Sequence, residues 1–286
     1  MMRSLKGAAA PVNDPSPRPL RSQVVSWFET PLGQSLQAVE AHRLRSVLPS
    51  LYGTVALQLG RIGRLDLLDA CIAPTRIVVD EDGTGYRSRT AAEQQLTGAR
   101  TVQLRAQAHA LPLDERSVDV AVLPHTLDFS EDPHTVLREV SRVLRPEGHV
   151  VIIGFNPMSL WGVRRLIARR PRTAPWSGHF FRLARVKDWL ALLDFECTQG
   201  AMLYYRPPFT GEHVMERLFF IEKAGDRWWP LAAAVYLLVA KKRVFGMTPL
   251  PIEWKRARPT LAGVKPAVLG PMPGGCAQNA ARIRNP

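Results

Sequence analysis

Cysteine is scarce: Cys71, Cys197 and Cys276 are the only three in 286 residues. Odd in number and far apart, they suggest neither a disulfide framework nor a zinc knuckle, and no metal site is expected. They read as small buried or tail residues. Long hydrophobic runs are missing too. The longest, Trp228 to Ala240, is too short to span a bilayer and contains Pro230, so no transmembrane segment is expected. The first residues lack the apolar stretch of a secretory signal, although an Arg-containing, acid-poor start is also what a transit peptide has. A cytoplasmic protein is the default expectation. No internal repeat is visible.

Negative charge is also in short supply, with 25 Asp and Glu against 38 Lys and Arg, for a net charge of +13. The excess sits largely at the ends. Residues 1–22 carry four basic residues and one acidic, and residues 255–286 carry six basic and none acidic, so the globular part keeps only +4. Basic tails attract phosphate without selectivity, which raises nucleic acid and membrane surfaces as partners. These tails lack aromatics that stack on bases, and no RNA-binding module is recognisable, so solvated tails are favoured over a nucleic-acid contact. Rich in Pro, Ala and Ser at the front and without apolar period at the back, both ends are expected to be mobile. The whole chain is 46% hydrophobic and 22% charged, ordinary for a soluble globular protein. The expected organisation is a mobile tail over 1–22, a helical cap over 23–50, one domain over 51–252 and a mobile basic tail over 253–286.

What is present is concentrated between residues 117 and 156. Val118 to Leu123 and Val150 to Ile153 are continuous apolar runs, the pattern of strands covered on both faces in a parallel sheet. Between them Asp132 precedes Pro133, an N-cap followed by a residue whose missing N–H costs nothing at the first helical position. Val136, Leu137, Val140, Val143 and Leu144 then recur at three- and four-residue steps, with Arg138, Glu139 and Arg142 on the other face. Pro146 and Gly148 are expected to end the helix and turn the chain into the second strand. The unit is βαβ.

From Leu111 to Gly148 the order is Leu-Pro, an acidic turn, Val-Asp-Val, a His-containing strand end, Asp-Pro, Leu-Arg-Glu, Arg-Val-Leu-Arg-Pro and Gly. This resembles the central segment of class I S-adenosylmethionine-dependent methyltransferases, and most of all the branch that includes the quinone-biosynthesis C-methyltransferases. The resemblance covers roughly residues 50 to 245. It implies an α/β fold: a Rossmann-like, doubly wound seven-stranded sheet with helices on both faces, ending in an apolar strand near residues 234 to 240. It also implies S-adenosyl-L-methionine as cofactor and a methyl acceptor as second ligand.

The cofactor half departs from the family pattern. Tyr52 to Gly63 reads as a strand ending in glycines, where a Cβ would hold the backbone away from a ligand. The family has an acidic residue on this strand and then Gly-x-Gly-x-Gly. Here Gln58 stands at the acidic position, Gly60 matches the first glycine, Ile62 and Arg64 replace the other two, and Gly63 is displaced by one. A plain strand-to-helix turn would look the same. Ile77 to Val79 reads as the second strand, and Asp80, twenty residues after Gly60, lies where a carboxylate can accept from both hydroxyls of a ribose. The alternative is an acidic loop residue beside Asp82. Gln107, next to Ala108, stands where the family has the Asp that accepts from the adenine amino group, and an amide serves there more weakly. With Gln58 and Gln107 neutral, each lost charge-assisted hydrogen bond is expected to cost about 1.5–3 kcal/mol of cofactor affinity.

Methyl transfer from a sulfonium is an in-line displacement, so the protein mainly holds nucleophile and methyl in line, and a base is needed only if the acceptor must lose a proton. At the end of strand four His125 and Asp128 are the catalytic candidates, with His125 a base or a cofactor-orienting donor. The plainer reading has His125 bonded to the following loop and Asp128 opening the next helix. Asn156 points toward the same mouth or makes ordinary turn chemistry before Pro157. After strand five, Trp161, Leu166 and Ile167 can share a face flanked by Arg164, Arg165, Arg169 and Arg170. Such a helix suits a lid over a hydrophobic or anionic acceptor, or a peripheral membrane contact, and a plain sheet-capping helix equally well. Leu183 to Leu193 reads as a helix with Trp189, Leu192 and Leu193 in the core. Thr30-Pro31 opens an early helix, with Glu40 expected at the surface as an ion-pair partner.

The reading is a methyltransferase acting on a small-molecule or lipid-like acceptor. A non-catalytic relative that keeps the fold as a binding module stays open because of the altered glycine turn and Gln107. An RNA methyltransferase rests on charge alone.

Overall fold

The computed structural model describes residues 20–63, 66–81, 99–167, 174–208 and 232–243. The remainder of both expected tails, Arg64, Arg169 and Arg170 lie outside them. The chain separates into two units, Met1–Phe245 and Gly246–Pro286, and the second also lies outside the described residues.

Two helices come first, α1 at Leu20–Phe28 and α2 at Pro31–Val47. The first begins inside the segment expected to be a tail. Thr30 caps α2 as its sequence suggests: the hydroxyl accepts from the Gly33 amide at 3.2 Å, and Pro31 takes the position that has no N–H to satisfy. Strands β1 (Val55–Leu59), β2 (Thr75–Asp80), β3 (Arg100–Arg105) and β4 (Val118–Pro124) follow. Then come α3 (Pro133–Val143), β5 (Leu144–Phe155), α4 (Leu160–Ile167), α5 (Leu183–Ala191), β6 (Phe195–Leu203) and β7 (Val235–Lys242). The seven strands form one sheet in the order β3-β2-β1-β4-β5-β7-β6. Its first five members are parallel, while β7 runs antiparallel between β5 and β6.

Alternation along the central strands sorts their side chains onto two apolar clusters. Val120 and Val122 of β4 and Val151, Ile153 and Phe155 of β5 face the cluster that α1 and α2 cover. Ala121, Leu123, Val150 and Ile152 face the other, which α3 and α5 cover. That is the both-faces burial which the continuous apolar runs require. Asp132 accepts from the amides of His134 and Thr135 at 3.0 and 3.2 Å, and the Val136, Leu137, Val140 and Val143 stripe of α3 is buried.

Four expectations need correction. Pro146 and Gly148 do not lie in a turn before the strand: β5 begins at Leu144, and Arg145–Gly148 bulge out between the pairs Val118↔Leu144 and Val120↔His149. Leu166 and Ile167 do not share a face with Trp161, which is buried while they are 83% and 74% exposed. Leu192 lies just past the end of α5 and is 81% exposed, not in the core. The crossover from β1 to β2 shows no helix among its described residues, only a turn over 67–70. Among the described residues no helix is long and apolar enough to cross a membrane.

Asp119 ties the start of β1 to β4. Its carboxylate accepts from the Thr54 amide at 2.7 Å, the Thr54 hydroxyl and the Val55 amide, and pairs with Arg145 at 2.9 Å. Burial alone raises this carboxyl, but the hydrogen bonds from Val55, Thr54 and Arg145 outweigh it and hold its pKa below the ordinary value. Asp119→Ala is expected to lower unfolding stability by about 2 kcal/mol, because it leaves these donors without their acceptor. Urea denaturation checks this, and an unchanged midpoint would contradict it.

Candidate functional site at the carboxyl ends of β1 and β4

From β1 the chain steps to β2 on one side, and from β4 to β5 on the other. The two strands lie side by side at the reversal, the place where open α/β sheets form their ligand crevice. Each residue expected from the sequence to bind a cofactor follows the carboxyl end of one of four neighbouring strands, or stands on it.

Gln58 is buried on β1, and its amide donates to the Gly60 carbonyl at 3.0 Å. Gly60 leaves the strand with φ +88°, a value that suits glycine, and donates its amide to Val79 of β2 at 2.9 Å. Gly63 has φ +56°, and a Cβ there would stand 2.6 Å from the Gln37 side chain. Gln37 reaches the same turn by donating to the Ile62 carbonyl at 2.6 Å. Ile62 itself is buried in the cluster beneath α1 and α2. The displaced glycine is therefore matched by a close approach of α2, which presses on the turn from above.

Asp80 ends β2 half-buried and stands opposite Arg105 in the ladder. Gln107 is exposed just past β3 and closes a tight turn with Ala110. Ala108 is buried, and its amide donates to the Glu81 carboxylate at 3.0 Å. Glu81 was not singled out from the sequence, yet it holds the backbone donor next to Gln107.

His125 follows β4 in a left-handed conformation, φ +51°, uncommon for a residue with a side chain. Both ring nitrogens are engaged: Nδ1 with Asp128 at 2.9 Å and Nε2 with Glu40 at 2.8 Å. Asp128 also accepts from the Phe155 amide at 2.9 Å. The ring stacks on Phe155 with centroids 4.1 Å apart, with Phe28 at 5.6 Å. All three polar residues are fully buried. Glu40 is thus no surface ion-pair partner. Its place in the stripe Leu32, Leu36, Glu40, Leu44 was the signal that α2 would bury it. Asn156 likewise turns inward, donating to the Ala233 carbonyl at 2.9 Å and accepting from the Met158 amide at 3.0 Å. Thr126 fastens the neighbouring strand ends together, its hydroxyl donating to the Leu59 carbonyl.

An imidazole between two carboxylates donates from both nitrogens and is an imidazolium. Burial alone lowers its pKa, but the charge of Glu40, with the hydrogen bonds to Asp128 and Glu40, outweighs this and pushes it up to about 9. Burial also raises the Asp128 carboxyl. In this arrangement His125 has no lone pair to take a proton from an acceptor, and both of its N–H groups are spent on Asp128 and Glu40. Because the folded value is the higher one, the stabilisation from His125 is complete below about pH 6.5 and lost as pH rises through about 9. Wild type is expected to lose on the order of 2–3 kcal/mol more stability than His125→Gln between those limits. Urea midpoints at both ends of the window test this, and equal losses in the two proteins would refute it.

A protein-family model described as a methyltransferase domain matches residues 80–152. The uncharacterized protein YafS of Escherichia coli K12 is 29% identical over 235 residues, 82% of this chain and 88% of that protein. The demethylmenaquinone methyltransferase of Chlamydia pneumoniae is 29% identical over 100 residues, 35% of this chain and 38% of its own length. Among solved structures, a methyltransferase from Thermotoga maritima, described as S-adenosylmethionine-dependent and a possible histamine N-methyltransferase, superposes with TM-score 0.51 at 17% identity, covering 76% of this chain and 94% of that one. At that identity the likeness concerns the fold, and it agrees with the strand order and the two-sided burial. Residues 80–152 thus resemble a methyltransferase domain, and the sheet has the fold seen in an S-adenosylmethionine-dependent methyltransferase.

Proposed function

We propose that this protein transfers a methyl group from S-adenosylmethionine to a small-molecule or lipid-like acceptor. The observation that carries the reading is the glycine turn at the β1–β4 reversal, bonded to the end of the strand that terminates in Asp80. The residues at this edge suit the cofactor. Gly60 lets the backbone approach a ligand, the Asp80 carboxylate can accept from a ribose diol, and Gln107 has an exposed amide that can meet the adenine edge. Ala108 can offer its amide there only by exchanging it from Glu81. When bound, the cofactor supplies a methyl already activated on a sulfonium. What remains for the chain is orientation: Asp80 and Gln107 fix the nucleoside, while His125 and Asp128 hold the ends of β4 and β5 in register from within the core.

The acceptor class is supported by α4, which stands just beyond the end of β5. Trp161 anchors one side in the core, and Leu160, Val163, Leu166 and Ile167 leave an apolar strip exposed on the other. An apolar acceptor or a membrane surface suits that strip better than a nucleic acid. The 100-residue similarity to a demethylmenaquinone methyltransferase supports a lipid-like acceptor. A cytoplasmic location belongs to this reading.

A second reading, a binding module without transfer activity, is favoured by one observation: Glu81 occupies the Ala108 amide. Calorimetry with S-adenosylmethionine and S-adenosylhomocysteine separates the two from a protein that binds neither. Binding of both is expected, and Asp80→Ala is expected to weaken it about tenfold, the loss of one charge-assisted contact. No heat at millimolar ligand would remove the proposal, and full affinity in Asp80→Ala would show that the ribose lies elsewhere.

A further inference from the structure

The buried array beside the glycine turn has more carboxyl oxygens than donors to meet them. Glu40 and Asp128 contribute two carboxyls and His125 the one imidazole that both of them engage. Its spare acceptors are also unspent: Glu40 Oε2 and Asp128 Oδ1 are buried without a hydrogen-bond partner, and so is the hydroxyl of Tyr236. Asp128 is close enough to Tyr236 that its charge adds to burial in raising that phenol. Buried acceptors are rarely left idle, and a buried excess charge is normally met by a proton, a metal or a cationic partner.

The location decides among these. On α2, Gln37 lies one helical turn before Glu40, on the same buried face, and donates to the Ile62 carbonyl at 2.6 Å. From the other side, Thr126, next to His125, donates to the carbonyl of Leu59, the residue before Gly60. The array is therefore fastened on both flanks to the turn that would face the cofactor. Gln58 adds no charge there, its amide being spent on the Gly60 carbonyl at 3.0 Å.

We infer that Glu40, held by His125 and backed by Asp128, is the counter-charge for a cationic ligand seated at the Gly60–Gly63 turn. This rests on the cofactor reading above and assigns the cofactor's positive end, its sulfonium and ammonium, to a carboxylate from the cap helix. Charges act over several ångströms in a dry interior, so Glu40 selects for positive charge without surface of its own to offer. A neutral nucleoside gains nothing from it.

Calorimetry on the full chain compares S-adenosylmethionine with 5′-methylthioadenosine, the neutral nucleoside that lacks both cationic groups. Glu40→Gln keeps the size of the side chain and removes its charge. It is expected to weaken S-adenosylmethionine about tenfold or more and methylthioadenosine less than about threefold. Asp128→Asn should show the same pattern, and carries the test should Glu40→Gln fail to fold. Glu40→Asp, which restores the charge, should recover most of the preference. Equal weakening of both ligands, or none of either, overturns the inference and leaves the cofactor reading standing. A wild type that binds neither nucleoside removes that reading and the inference with it.

Discussion

A histidine sealed between two carboxylates links parts of the chain that are far apart in sequence. Glu40 lies 85 residues before His125, and the pair joins the cap helix α2 to the end of the central strand β4. Asp128 extends the link to β5 through the Phe155 amide, and Phe155 in turn stacks on the imidazole. Removing one partner from such a buried ionic group costs about 3–5 kcal/mol, because the remainder is stranded without water. The cap therefore does not rest on apolar contact alone. Its azimuth is set by Glu40 and Gln37, which have to meet the imidazole and the turn together.

The candidate site lies beside that link. The strand order reverses there, Gly60 takes a positive φ, and Asp80 and Gln107 stand along the neighbouring strand ends. None of these features depends on a helix following the glycines. An anion-binding helix start, so often present at such turns, is not formed by the described residues of this crossover.

Legibility in the sequence followed the physics of each element. The apolar runs of β4 and β5, the stripe of α3 up to Val143 and the caps at Thr30 and Asp132 are set by local preferences that neighbouring residues supply, whereas Leu144, expected to continue the stripe, opens β5 instead. Burial of a charged residue is set by a distant partner. Glu40 looked like a surface residue because His125, which keeps it inside, is far away in the chain. At α4 the expected shared face fails because helical spacing puts Leu166 and Ile167 opposite the one anchoring tryptophan. Gly148 signalled a turn and delivered a bulge: a Cβ there would come within 3.0 Å of the Asp119 carbonyl, so the glycine marks a close approach within the ladder. Nothing in the local wording separates these two uses of glycine.

The uncovered strip on α4 also bears on how copies of this protein behave toward one another. Leu160, Val163, Leu166 and Ile167 are the sort of surface that draws molecules together in water. The net charge of +13 opposes this over a longer range, since two such molecules repel before their sticky faces can meet. Colloidal balance in this protein is thus an ionic-strength question: added electrolyte shortens the repulsion to about 8 Å at physiological salt while leaving the short-range attraction in place.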